Sequence, residues 1–454
     1  MSKTLMTSVS GVRGIVGDSL TPSTIVKYVS AFGQKLSGKK VVVGGDPRVS
    51  SVFIRPIVKG TLLACGCDVI DIGITPTPTV QLMTEKLRAS GGIAITASHN
   101  PIEWNGLKFV GADGLFLPER EIMTMYQEAE SRKRHYATYD KLGKETRYEK
   151  AIDDHLQAIY DLPYVDLDTI RKSRLKVVVD CVNGAGGVIM PRLLEELGCE
   201  VIALNVEPTG IFAHTPEPVP QNLVDLAKAV KQHKADLGLA VDPDVDRLAI
   251  IANDGNPLGE EYTLALAVKY VLSKKLGYVV VNLSTSRAID EIAQYYNVLL
   301  FKTKVGEIHV ATQMREVEAV IGGEGNGGVI LPEVHLGRDA PVAAALILQY
   351  LAESGETITA LKHQLPQYYI LKDKESIKDL NADVVIEHFA EKYRAEQLDF
   401  TDGLRIDRSD SWIHLRKSNT EPIVRIIVEA RTPEISWRIL QEVKEEIQKI
   451  QNAS

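Results

Sequence analysis

Cysteine is scarce: the 454 residues include 4, Cys65, Cys67, Cys181 and Cys199, with no C-x-x-C pair and no zinc-ligand spacing. That excludes a disulfide-stapled scaffold, and a reduced, cytoplasmic setting is expected. The opening MSKTLMTSVSGVRG has no hydrophobic segment of signal-peptide kind. Long apolar runs are missing too. The most apolar helix-like stretch, Pro341 to Ala352, has 12 residues, too few to span a bilayer, so no membrane role is expected. Positive charge is in deficit, 52 Lys and Arg against 60 Asp and Glu for a net charge of −8, which argues against a nucleic-acid footprint. An anion bound here must be held by a local cluster of donors rather than by an overall basic field. Neither G-x-x-x-x-G-K-[ST] nor G-x-G-x-x-G occurs in a fitting context, so a bound phosphate need not belong to ATP or NAD.

What is present is a repeated βα rhythm. KVVVGGD (40–46), CDVIDIG (67–73) and GGIAITA (91–97) read as strands, with helical patterns near 52–65 and 78–88 between them. The rhythm restarts at LKVVVDCVNGAGG (175–187), leading through an amphipathic helix to CEVIALN (199–205). It starts again at GYVVVNLSTS (277–286) and runs on to VEAVIGGEGNGG (317–328). Hydrophobic strands alternating with helices predict three similar α/β domains with mixed, largely parallel sheets. Strand-like segments at 402–407, 411–416 and 423–430, followed by a charged amphipathic helix at 432–450, predict a smaller C-terminal α+β domain. Polar, helix-rich segments near 130–160 and 366–382 are expected to be linkers, with a further break at the 255–260 turn. The expected division is 1–150, 151–255, 256–366 and 367–454.

Four loops carry chemistry beyond what a solvated turn requires. GGIAITASHNPIEWNGLKF (91–109) ends a strand on Ser98, where open α/β sheets bind ligands. Ser98 is not a hydrolase serine, because Thr96 and Asn100 stand where G-x-S-x-G needs glycine and Pro101 stands where S-x-x-K needs lysine. In LGLAVDPDVDRLAII (237–251), Asp242, Asp244 and Asp246 crowd a connection between two apolar runs. Carboxylates that close repel unless a hard, oxygen-seeking cation neutralises them, and magnesium is the expected ligand. An EF-hand is excluded by Arg247 and Asn253 at its glycine and glutamate positions. GGEGNGG (322–328) presents Glu324 and Asn326 on a bare backbone, an acceptor and an amide that suit sugar hydroxyls. RKSNTEPIVR (416–425) gathers Arg416, Lys417, Ser418, Asn419, Thr420 and Arg425, the equipment for gripping a phosphate.

In their order, TASHNP, D-x-D-x-D-R, G-E-x-x-G-G and R-x-S-N-T-x-P, these loops make the chain resemble the α-D-phosphohexomutase family from near residue 5 to the C-terminus. The resemblance implies reversible phosphoryl transfer between the 1- and 6-positions of a hexose phosphate, with a hexose 1,6-bisphosphate as intermediate and activator. Ser98 is then the phosphoserine, bound to one Mg2+ per chain that Asp242, Asp244 and Asp246 also hold. Arg13, in SGVRG, and Arg247 would neutralise the moving phosphoryl, and Lys108, in N-G-x-K, would manage the proton of the attacking hydroxyl. Glu324 and Asn326 would meet the sugar, and Arg416, Ser418, Asn419, Thr420 and Arg425 the phosphate that is not reacting.

One departure stands out. Many members carry histidine where this chain has Gly328, and His335, in PEVHLGRDA, is the expected replacement. GGDPR (44–48) also differs from the commoner form. The sugar loop looks most like the branch assigned as phosphoglucosamine mutases, with glucose or mannose phosphate as the alternative substrate. A haloacid-dehalogenase-type phosphatase also places D-x-D after a strand, but that leaves Ser98 and the RKSNTEP loop without roles. A catalytically silent sugar-phosphate sensor is a third reading, disfavoured because sensing needs neither a reactive serine nor a metal loop.

Overall fold

Val41, Val42 and Val43 are each fully buried, so KVVVGG forms a strand covered on both faces rather than an alternating one. The helix that follows, Ser51–Ala64, buries Ile54, Val58 and Leu62, one side chain per turn along a single stripe. This computed structural model describes residues 4–131, 133–377, 380–417 and 422–453.

Four sheets organise the described residues. The first has 7 strands, with Lys40–Gly45 at its centre parallel to both Asp68–Ile74 and Gly91–Ile95. The second sets Lys176–Asp180 parallel to Glu200–Leu204 and Leu237–Val241. The third sets Val279–Asn282 parallel to Leu300–Thr303 and Ile321–Glu324. In each of these sheets one central strand turns back on an antiparallel partner: Gly91–Ile95 on Trp104–Gly111, Leu237–Val241 on Leu248–Ala252, and Ile321–Glu324 on Gly328–Leu331. The serine, aspartate and glutamate loops are those three turns, so the repeat delivers equivalent corners to one region. The fourth sheet is antiparallel throughout, as in an α+β unit, and has its own core around Ile413, Val428 and Val443.

The segment 366–382 is not a linker. Tyr369–Ser376 is an edge strand paired along its whole length with Ile423–Ala430. Its Lys, Asp and Glu residues suit an edge, where charge discourages further pairing, and the same composition reads locally as a polar connector. Within 130–160, Glu145–Arg147 joins the rim of the first sheet, and the helix Ala151–Tyr160 buries His155, Leu156 and Ile159. The apolar stretch at 341–352 lies in the helix Ala340–Ser354, buried around nearly its whole circumference as a core helix. Among the described residues no helix is long and apolar enough to cross a membrane.

Candidate active site

Ser98 follows the buried strand Gly91–Ile95 and adopts a left-handed backbone, φ +51°, which costs an L-residue roughly 1–2 kcal/mol. Arg48 holds it there. Its Nη2 donates to the carbonyls of Ser98 (2.5 Å) and Asn100 (2.7 Å), and its Nη1 to those of Pro101 (2.7 Å) and Trp104 (2.9 Å). Asp46 Oδ2 accepts from Arg48 Nε (3.3 Å) and from the Thr96 hydroxyl (2.5 Å), and Thr96 Oγ1 in turn accepts from the Ser98 amide (2.8 Å). Segment 44–48 is therefore the scaffold of the serine loop. No local pattern marks it, because Arg48 and Ser98 are 50 residues apart.

The Ser98 hydroxyl donates to Asp242 Oδ2 at 2.9 Å. Asp242 Oδ1 accepts from the amides of Asp246 (3.2 Å) and Arg247 (3.3 Å). Asp244 Oδ2 accepts from the Thr77 hydroxyl (2.6 Å) and Lys108 Nζ (2.7 Å), and Asp246 Oδ2 from Lys108 Nζ (3.2 Å) and Arg338 Nη2 (2.5 Å). The three carboxylates are fully buried, yet Asp244 Oδ1 and Asp246 Oδ1 have no hydrogen-bond partner. Buried carboxylate oxygens without donors are costly, and a hard divalent cation satisfies such a set. One oxygen from each aspartate lies within 4.8 Å of the others, and the donor set is all oxygen, so the residues fit magnesium. Val245, fully buried at φ +63°, supplies the tight turn that brings them together.

Charge at this corner is divided unevenly. Burial, then the neighbouring charges of Asp246 and Asp244, push the Asp242 carboxyl well above the usual range. Burial also opposes ionisation of Asp244 and Asp246, but Lys108 and the Thr77 hydroxyl at the first, and Arg338 with Lys108 and Arg247 at the second, together outweigh it, and both stay low. Lys108 is itself held above its ordinary value, because Asp244 and Asp246 overcome the effect of burial. His99, its Nδ1 3.3 Å from Ser98 Oγ, is pushed down to about 2 by burial and by the Arg247 and Arg13 cations, and is therefore neutral.

Of these groups His99 and Lys108 line a cleft of about 930 Å³, together with Arg247 from the aspartate loop and residues of the first, third and fourth sheets. Arg13 donates to Asn100 Oδ1 (2.9 Å), and Arg247 Nε lies 3.8 Å from Asp246 Oδ1. Glu324, buried on the wall, accepts from Asn282 Nδ2 (2.7 Å) and the Gly306 amide (2.9 Å) at Oε1, and from Arg338 Nη1 (3.0 Å) at Oε2. Asn326 lies beside it, its Oδ1 accepting from the Gly328 amide at 3.3 Å. Opposite, Arg416 and Arg425 are cross-strand neighbours, with Arg416 paired to Asp402 at 2.9 Å. Ser418, Asn419 and Thr420 lie outside the described residues. A local basic lining within an acidic chain is thus what an anion would meet.

His335 is not in the cleft. In the strand His335–Arg338 residues three apart face opposite sides, so Arg338 reaches the cleft while His335 points into a buried cluster. There its Nε2 is 2.9 Å from Asp339 Oδ2, with His155 Nε2 2.7 Å from the same oxygen. The residue beside the sugar loop is Arg338, which the motifs did not single out.

The chain matches the four domains described for phosphoglucomutase/phosphomannomutase: alpha/beta/alpha domain I over residues 5–135, domain II over 153–255, domain III over 259–369, and the C-terminal domain over 370–446. It is 40% identical over 440 residues to a phosphoglucomutase/phosphomannomutase of Thermococcus kodakarensis, covering 95% of this chain and 96% of the relative. It is 38% identical over 430 residues to a probable phosphoglucosamine mutase of Methanopyrus kandleri, covering 94% of each. A solved phosphoglucomutase/phosphomannomutase family protein of Burkholderia thailandensis superposes with a TM-score of 0.83 at 27% identity, covering 98% of both chains.

Proposed function

This chain belongs to the phosphoglucomutase/phosphomannomutase family and is a phosphohexomutase, and on that premise we propose that Ser98 is its phosphoryl carrier and a 2-amino hexose phosphate its preferred substrate. The observation that carries the first claim is the Ser98 hydroxyl 2.9 Å from Asp242, beside two buried carboxylate oxygens that have no donor.

In the proposed scheme, residues 1–150 carry the serine, 151–255 the metal loop, 256–366 the sugar loop and 367–454 the phosphate clamp. Ser98, Asp242, Asp244 and Asp246 would hold Mg2+, which when bound supplies charge neutralisation at the transferring phosphoryl. The P–Oγ bond of phosphoserine 98 breaks as a sugar hydroxyl oxygen bonds to phosphorus. On balance the hydroxyl loses one proton and Ser98 Oγ gains one. Lys108, kept as an ammonium between Asp244 and Asp246, would give its proton to Ser98 Oγ as the P–O bond breaks and regain one from the attacking sugar hydroxyl. Arg247 and Arg13 offset the negative charge that develops. Glu324 and Asn326 take the sugar hydroxyls. Arg416 and Arg425, with Ser418, Asn419 and Thr420, grip the other phosphate through charge-assisted bonds. The product of this half-reaction is a hexose 1,6-bisphosphate, which reorients and returns its other phosphate to Ser98; added bisphosphate therefore acts as activator.

Glucosamine 6-phosphate to glucosamine 1-phosphate is the favoured conversion, because Glu324 is an acceptor able to meet an ammonium as well as a hydroxyl. Glucose and mannose phosphates are the alternative, and relatives bear both kinds of name. Side-by-side assays of glucosamine, glucose and mannose phosphates, each primed with a trace of its bisphosphate, test the choice. A preference above about tenfold for glucose or mannose, or ~1.4 kcal/mol in the transition state, reassigns the substrate and leaves the serine claim standing.

A further inference from the structure

Gly328 has no conformational need to be glycine, since its backbone lies outside the left-handed region. What forbids a side chain is Arg338. A Cβ added at Gly328 would lie 2.3 Å from Arg338 Cδ and 2.9 Å from its Cγ. The arginine crosses the sugar loop over this gap and ends among three buried carboxylates from separate elements. Its Nε donates to Glu307 Oε2 (2.9 Å), Nη1 to Glu324 Oε2 (3.0 Å) and Nη2 to Asp246 Oδ2 (2.5 Å). Glu307 opens the helix Glu307–Glu316, Glu324 ends the strand Ile321–Glu324, and Asp246 lies in the aspartate loop of the second sheet. Glu307 Oε1 accepts from Gln81 Nε2 (2.9 Å), and Thr77, on the same helix Thr77–Lys86, bonds Asp244. The connection therefore closes back on the first sheet's unit.

We infer that Arg338 is the positioning residue that locks the aspartate loop to the sugar loop, and that Gly328 is the gap through which it reaches. The inference rests on the proposed roles of Asp246 and Glu324. With Oδ2 of Asp246 taken by Arg338 and Lys108, only Oδ1 is left to face a cation, so the orientation of that carboxylate is set before any ligand arrives. The same guanidinium fixes the plane of Glu324, which would meet the sugar. A planar fork with donors on three nitrogens does this; a lysine ammonium is a point charge and cannot span the three partners. The guanidinium also compensates carboxylates whose burial without it would be strongly unfavourable.

The test uses the full-length enzyme with Gly328→Ala, Arg338→Ala, Arg338→Lys and the Gly328→Ala/Arg338→Ala double variant. Gly328→Ala keeps every charge and displaces chiefly the arginine, the added Cβ otherwise meeting Asn326 Oδ1 at a looser 3.1 Å, so it decides the question even if Arg338→Ala does not fold. Each single alanine variant should lower kcat/KM by about tenfold to a hundredfold, with both KM and kcat affected, and the double variant should lose no more than the worse single. Arg338→Lys should recover part of the loss, and millimolar guanidinium should partly rescue Arg338→Ala. Independent of turnover, Mn2+ affinity measured by titration should weaken about fivefold or more in both singles, because Asp246 loses its orientation. If Arg338 were only a nearby positive charge, its removal would tighten Mn2+ binding. A tightened Kd, losses that multiply in the double variant, or a Gly328→Ala enzyme within twofold of wild type overturns the inference. A wild-type enzyme that turns over no hexose phosphate overturns the functional reading instead, and the Mn2+ measurements still decide the role of Arg338.

Discussion

The Ser98 hydroxyl donates to Asp242 Oδ2 at 2.9 Å across 144 residues of chain, joining the first sheet's serine loop to the second sheet's aspartate loop. If Ser98 carries the phosphoryl group, intact-mass analysis of the purified protein should show a fraction heavier by one phosphoryl that is missing from Ser98→Ala. Turnover should fall by several powers of ten while thermal stability changes little, since one loop hydroxyl contributes modestly to folding. Full turnover in Ser98→Ala with loss in Asp242→Asn would instead favour an aspartate nucleophile.

If the orphaned oxygens of Asp244 and Asp246 hold a divalent cation, stability and activity should depend on it together. Excess chelator should abolish turnover and lower the melting temperature, and Mg2+ should restore both. Asp244→Asn should cost far more activity than stability, because it removes a ligand and also relieves repulsion. Turnover that persists in excess chelator would falsify the assignment.

Arg48 touches four carbonyls of the serine loop and does not line the cleft. Arg48→Lys should leave KM nearly unchanged and lower kcat by about a hundredfold, the usual cost of displacing a reacting group by about an ångström. Equal changes in both constants would show that Arg48 affects binding rather than the placement of Ser98.

Arg416→Ala should weaken substrate affinity by about one to two powers of ten, matching a charged hydrogen bond of ~1.5–3 kcal/mol, and Lys417→Ala should have a milder effect. Competition assays with the unphosphorylated hexose check the point. If wild type binds the hexose and its phosphate equally, Arg416 and Arg425 are not a phosphate clamp.

His414 is fully buried between the fourth sheet and the third, its Nε2 2.6 Å from the Asp402 carbonyl and its Nδ1 3.0 Å from the Ser284 hydroxyl. Burial pushes it down from 6.5 to about 4, so as pH falls through that window the unfolded chain binds a proton that the folded chain refuses. Stability should therefore be intact above pH 6.5 and decline toward pH 4. In His414→Gln that part of the acid decline should be absent from melting curves taken at pH 4, 5 and 6.5.

Much of the site is written locally. The motif around Ser98, the alternation of Asp242, Asp244 and Asp246, and the Glu324–Asn326 turn each end a buried strand, and strand periodicity places them at sheet corners without further information. Edge strand Tyr369–Ser376 is harder to read, because its charged residues look like a connector until Ile423–Ala430 is known to lie beside it.

From the amino-acid sequence alone came the family, the α/β architecture and the order of the four loops, because hydrophobic periodicity and short motifs are properties of neighbouring residues. Three-dimensional packing decided which basic groups serve those loops. Arg48 meets Ser98 from 50 residues away, and Arg338 meets Asp246 from 92. Side-chain alternation along one short strand sent Arg338 into the cleft and His335 into the core. No spacing rule encodes such pairings, since they depend on which corners the folded sheets bring face to face.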